Sequence, residues 1–383
     1  MRIMTIARNS VALISWPIIC LAFVGAETAS VETLTAQLND KDPARAALAA
    51  DTLGGLKEKT SPAIAALVKA LGDTRRVGYS PGPVHQVVCS NAADALVNIG
   101  EPTVPALLTA LEKEKDSGVR YRIFQSLGRI GRPAAKAIPP LKAIVAGDAP
   151  ESDRFYAFDA LGKIHSPGPE LVAFASSQLN DKSPGMRSLA IGILGKSGKD
   201  AVPSTDQLIR LLADPDNRAV AISADFVSQR AVRTDAADAL GRIGPPATAA
   251  APRLTKMMAD DKDAVPRAAA AIALIRIDEK NSSAAFDTLQ EMLVDKSAKT
   301  DEISAAANAL AGLGLQAKRA LPALAKLLHH QDEYVRMDAL DAIAEIGGKD
   351  AIPLLEFSIR DEEEHIRERA QEAIDELKGV SKQ

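Results

Sequence analysis

Residues 332–361 read DEYVRMDALDAIAEIGGKDAIPLLEFSIRD, and residues 233–254 read RTDAADALGRIGPPATAAAPRL. In each stretch an Ala-rich run carries an apolar residue, Ile343 or Leu240, and a second one three positions on, Ile346 or Ile243. That spacing places both side chains on one face of a helix. Glycine follows, at Gly347 and Gly244, and then a second apolar run with proline near its start, Pro353 and Pro252. Glycine suits a helix C-terminus because it tolerates positive φ, and proline suits a first helical turn because its missing N–H would be unbonded there anyway. Both stretches therefore read as two short antiparallel helices.

The phrase recurs along the chain. Its leading apolar residue falls at Leu53, Leu96, Leu127, Leu161, Leu194, Leu240, Leu274, Leu310, Ile343 and Ile374, mostly at intervals of about 33 residues. Gly100, Gly131, Gly198, Gly244, Gly314 and Gly347 are expected to end first helices. Pro105, Pro139, Pro203, Pro252, Pro322 and Pro353 are expected to open second ones. Asp73, Asn180, Asp214, Asp260, Asp295 and Asp361 lie near the turn into the next unit. A lone helix pair of this length cannot bury its apolar faces, so such units must stack. The tenth first helix, around Ile374, has no second helix after it and is charge-rich, as a capping helix should be.

Composition agrees with an all-helical chain. Hydrophobic residues reach 46% but aromatics only 3%, so the apolar mass is Ala, Leu, Ile and Val. Alanine is the best helix former, and small aliphatic side chains let helices approach closely. The net charge of −4 gives no basic field of the kind that releases counterions from phosphate, so no nucleic acid is expected as partner.

The N-terminus reads as an address. Arg2 and Arg8 precede an apolar run from Val11 to Val24, followed by Gly25 and Ala26. This is the pattern of a secretory signal peptide over 1–26 with cleavage between Ala26 and Glu27. As a helix the run spans roughly 21 Å, short of the ~30 Å hydrocarbon core, so no transmembrane span is expected after its removal. The expectation is an exported protein, periplasmic or extracellular. Residues 27–31 form a short lead-in, repeats occupy 32–379, and 380–383 form a tail. Only Cys89 then remains, as a buried small apolar residue; a single cysteine makes no internal disulfide, CxxC pair or multi-cysteine zinc site.

An arginine sits seven residues before the leading Leu or Ile in seven units: Arg120, Arg154, Arg187, Arg233, Arg267, Arg336 and Arg367. With that arginine, the two quoted stretches resemble bacterial HEAT repeats of the phycobilin-lyase-like subtype. The resemblance covers about residues 32–379 and breaks at two insertions and at the units lacking the arginine. It implies a right-handed all-α solenoid of about ten HEAT-type helix-pair repeats. It also implies that the seven arginines form a structural ladder, each reaching an Asp in a neighbouring turn. An exported, non-catalytic scaffold for another protein is the function expected. One alternative implied by the resemblance is a bilin lyase or isomerase; another is a nucleic-acid-binding HEAT solenoid, which the acidic balance opposes.

Chemistry is otherwise sparse. His85, His165, His329, His330 and His365 are scattered, without HExxH or a Cys/His cluster, so no metal, cofactor or catalytic residue is expected. His329 and His330 read as two imidazoles at a helix end. Asp214, Asp216 and Asn217 lack the Gly and distal Glu of a calcium loop. Asp51, Asp94, Asp159, Asp238 and Asp341, each two residues before a leading residue, form an acidic column on a hydrated helix face. The insertions, near 74–88 and 214–230, are the informative departures, because binding residues concentrate on loops held by a rigid scaffold. They nominate Arg75, Arg76, Tyr79, His85, Phe226 and Arg230 as binding residues. The bland reading is neutral elongation, an extended helix in the second case.

Overall fold

The computed structural model describes residues 30–77, 87–165, 168–215, 220–223, 226–228, 231–295 and 298–379. The expected signal peptide, its cleavage site at Ala26–Glu27 and the tail at 380–383 lie outside the described residues. The chain forms two compact units, 1–165 and 166–383.

The first unit contains α1 (Val31–Gln37), α2 (Pro43–Leu56), α3 (Ile64–Ala70), α4 (Val88–Ile99), α5 (Val104–Lys113), α6 (Ser117–Ile130), α7 (Ile138–Ala146) and α8 (Glu151–Ile164). The second contains α9 (Pro169–Ser177), α10 (Pro184–Ser197), α11 (Thr205–Leu211), α12 (Val232–Ile243), α13 (Ala251–Asp260) and α14 (Ala264–Ile277). It continues with α15 (Glu279–Val294), α16 (Thr300–Ala311), α17 (Leu321–Leu327), α18 (Glu333–Gly347), α19 (Ile352–Leu355) and α20 (Glu364–Lys378). Each even-numbered helix carries one of the ten leading Leu or Ile residues, and all ten are buried. The odd-numbered helices from α3 on are the second members of the pairs, and α1 precedes the first pair. Both units are thus all-α solenoids of HEAT-type pairs.

Local chemistry starts and stops these helices. Asp42, Asp116, Ser183 and Asp332 cap α2, α6, α10 and α18 by accepting backbone N–H bonds. Pro105, Pro139, Pro252, Pro322 and Pro353 occupy the first turns of their second helices. Pro203 instead lies in the 3-10 turn Gly198–Ser204, just ahead of α11.

First helices pack on first helices through the small residue after the leading Leu. A Cβ on Gly54 would stand 2.7 Å from Ala95 Cα, and one on Gly241 would stand 3.1 Å from Ala273 Cα. The two backbones touch there, which explains why the repeat favours Gly and Ala at those places.

Three expectations need correction. Gly347 does not end α18 with positive φ; it is the last helical residue, and Gly348 takes φ +54. Its lack of a side chain serves space instead, since a Cβ would meet the Ala351 Cβ at 2.5 Å. Likewise α16 stops at Ala311, and Gly314 turns the chain only afterwards. The second insertion is not an extended helix. It holds two antiparallel strands, β1 (Val220–Ser223) and β2 (Phe226–Ser228), with Val220 opposite Ser228 and a bulge between Ala221 and Ser223. Val220, Ile222, Phe226 and Val227 are β-branched or aromatic and favour this extended pairing over a helix.

The first insertion is pinched at its base. Arg76 and Val87 form an antiparallel bridge, the Val88 N–H donates to the Arg75 carbonyl, and the Cys89 N–H donates to the Asp73 carbonyl. No described helix is long and apolar enough to cross a membrane.

Candidate functional site

The arginines at the seventh position before the leading residue reach in two directions. One guanidinium nitrogen of Arg187 donates to the carbonyls of Asp181 and Lys182, in the turn before its own helix. Arg336 does the same with His330 and Gln331, and Arg367 with Asp361 and Glu362. The rest of the guanidinium reaches a carboxylate of the next turn: Arg187 pairs with Asp214, Arg233 with Asp261, Arg267 with Glu302 and Arg336 with Asp361. Arg120 pairs with Asp153, and Arg154 donates to the Val145 carbonyl. Asp261 and Asp361 each accept a side-chain fork from one rung and offer their carbonyl to the next, linking Arg233 to Arg267 and Arg336 to Arg367. The rung acid after α13 is Asp261, next to the Asp260 that marks the turn.

Burial by itself would raise the Asp261 and Asp361 carboxyls. The guanidiniums of Arg233 and Arg336, with the N–H groups of Asp263 and Glu363, outweigh it and hold both below the ordinary carboxylate range. Arg75 lowers Asp73 and Arg267 lowers Glu302 in the same way.

Arg75 is where the nominated binding residues and the ladder meet. The first repeat has Ala46 where the ladder arginine belongs. Arg75, arriving from the first insertion, fills the role instead. It donates to the carbonyls of Asp40 and Lys41, the same two repeat positions that Arg187 and Arg336 use in their own turns. Its other nitrogens fork onto Asp73 at 2.6–3.0 Å. Arg76 is exposed beside it in the bridge. Tyr79, His85 and Arg230 lie outside the described residues, and of Phe226 only the backbone, in β2, is described.

At the stem of that insertion a cleft of about 390 Å³ opens between α4 and α6. Val87, Cys89, Ser90, Ala93 and Asp94 form one wall, and Tyr121, Arg122, Gln125 and Arg129 the other. The Tyr121 ring leans on Tyr156 of α8 at 4.7 Å, and the Gln125 amide donates to the Tyr121 hydroxyl at 3.1 Å. Arg129 bonds Asp94 across the cleft at 2.7 Å. None of these residues was nominated from sequence. The usable signal was two tyrosines at nearly the same repeat position in consecutive units of a chain with only four.

Asp51 accepts from Asn91, Asp159 from Lys163 and Asp341 from Arg369, so these members of the acidic column are engaged by neighbouring units or turns. The His329 ring lies tilted against Phe357 at 4.0 Å, while the His330 ring accepts from the Asp332 N–H. Cys89 is buried with a free thiol. Glu333, Glu363 and His365 place ligating atoms within 4.8 Å of one another, a cluster not foreseen from sequence.

Helix pairs stacked through their first helices, stitched turn to turn by arginine–carboxylate rungs, define an α-solenoid repeat protein. The profile of HEAT repeats matches residues 85–152, 138–225 and 286–375, more than half the chain, and that of a HEAT-like repeat matches 230–277. The chain belongs to the HEAT-repeat family. Importin beta crystallised from ammonium sulfate superposes with a TM-score of 0.57 at 14% identity, over 95% of this chain and 53% of that one. Importin beta from polyethylene glycol gives 0.56 at 14%, over 95% and 56%. At that identity the likeness speaks of fold alone, and this chain spans about half the length of those it matches. The complex of CpcE and CpcF of phycocyanin lyase from Nostoc is 22% identical over 73% of this chain and 97% of that one; its TM-score of 0.30 carries no argument. Among curated proteins none matches the chain.

Proposed function

We propose that this chain is an exported bacterial HEAT-repeat scaffold, non-catalytic, that binds another protein beside its first insertion. The α4–α6 cleft carries the reading. It sits where an insertion leaves the repeat array, and tyrosine and arginine, the residue types that dominate protein-binding hot spots, line it together. Its one carboxylate, Asp94, is tied to Arg129, an arrangement suited to holding a partner more than to moving protons. Export is supported by the positive, apolar and small-residue segments of residues 1–26.

Affinity capture from the exported fraction tests the proposal. The intact chain should retain a protein that is lost when residues 78–86 are shortened and when Tyr121 becomes Ala, with helicity unchanged in both variants. Full retention by both would place the site elsewhere. A co-purifying pigment would favour the lyase alternative.

A further inference from the structure

We infer that the α4–α6 cleft receives an acidic segment of its partner, a carboxylate set beside an apolar or aromatic side chain. The inference rests on the scaffold reading and names the chemistry of what that scaffold holds. Arg122 is its centre. This side chain is half-buried, yet among the described residues its guanidinium has no carboxylate, carbonyl or ring partner. Three other arginines of the same unit are committed, Arg75 to Asp73, Arg120 to Asp153 and Arg129 to Asp94, while Arg76 and Arg132 are exposed to water. A planar fork partly removed from water and left without an acceptor is best satisfied by a carboxylate, which it can bind through two parallel bonds.

The surroundings fit that guest. A Cβ on Gly118 would meet Asp116 Oδ1 at 3.2 Å and Arg122 Nη1 at 3.3 Å, so the glycine leaves room for the guanidinium over the first turn of α6, with Asp116 near but not bonded to it. The nearby acid on that turn, Asp116, accepts the Val119 N–H through Oδ1 as its helix cap. The lining holds two guanidiniums against one carboxylate, and that carboxylate is paired, so the charge favours an anion. Beside Arg122 the Tyr121 ring is held by Tyr156 and Gln125, a preset wall for an apolar side chain. A volume of about 390 Å³ admits one or two side chains. Nucleic acid would need the basic field that a chain of net charge −4 lacks.

Fluorescence anisotropy of three labelled synthetic peptides, identical except for Glu, Gln or Lys beside a Phe–Leu pair, tests this on the full chain. The Glu peptide should bind most tightly. Arg122→Ala should weaken it about tenfold and abolish its advantage over the Gln peptide, Arg122→Lys should restore part of the loss, and Tyr121→Ala should weaken all three. Circular dichroism should match the parent throughout. Equal binding of the Gln or Lys peptide, indifference of the Glu peptide to Arg122→Ala, or no binding of any peptide would overturn the inference. So would binding of the Glu peptide only after removal of 78–86, which would make the insertion the occupant. The scaffold reading would survive each of these if protein capture still depended on Tyr121.

Discussion

Lys57 occupies the repeat position held by Gly100, Gly131, Gly198 and Gly244 in other units, and it adopts the same backbone. Its φ and ψ of 54° and −126° nearly equal the 53° and −122° of Gly198. An L-residue in such a region is strained by about 1–3 kcal/mol. The Lys57 side chain is exposed, and its carbonyl, which accepts the Thr60 hydroxyl, would remain in a glycine. Lys57→Gly should therefore relieve the strain while adding about 0.4–1 kcal/mol of unfolded-chain entropy. The net gain is about 0.5–2 kcal/mol, a rise of a few degrees in Tm. Gly198→Ala is the mirror experiment. Its new Cβ would meet the Arg242 carbonyl at an unstrained 3.9 Å, so any loss reports backbone conformation alone. Urea denaturation by circular dichroism gives the totals, and hydrogen exchange of α2 and α3 amides should show the gain concentrated in the first repeat. If Lys57→Gly proved neutral or destabilising while Gly198→Ala lost stability, the equivalence of the two positions would be wrong.

Removing Arg336 leaves the Asp361 carboxylate, itself 4% exposed, without its guanidinium. Arg336→Ala should cost about 3–5 kcal/mol in denaturant titrations, and adding Asp361→Asn should recover part of it. Asp73, Asp261, Glu302 and Asp361 are all held below their ordinary pKa, so their stabilisation is complete above about pH 4–5 and is lost as pH falls through the folded values. Stability should be flat from neutrality to that range and then drop, less steeply in Asp261→Asn; an unchanged slope would remove the ladder from the acid response. Gly54→Ala must push α2 from α4 and should cost about 1–3 kcal/mol, whereas a neutral result would contradict the close approach. The exported form should begin at Glu27 and lack tryptophan, Trp16 being the only one, and mass spectrometry of its N-terminal peptide would decide.

The repeat was legible because its determinants are local. Leucine and isoleucine at helical spacing, the glycine or proline at each turn and the arginine seven residues before each leading residue all lie within one unit, and every first helix follows from them. Where a rule spans a turn whose length varies by one residue, sequence slipped: Gly348, not Gly347, takes the positive φ. The strand pair in the second insertion escaped because short apolar runs have no periodicity that separates strand from helix. The site was less legible still. Whether Arg75 serves a partner or the scaffold depends on where the pinched insertion returns the chain, and there it meets carbonyls some 34 residues earlier. Whether Arg122 is free depends on which acids the neighbouring helices place beside it. Periodicity is a property of a helix and repeats with the sequence, so the α-solenoid could be read directly. Pairing is a property of neighbours brought together by stacking, so only the tertiary structure could distinguish the arginines that hold the fold from a half-buried one, Arg122, left without an acceptor.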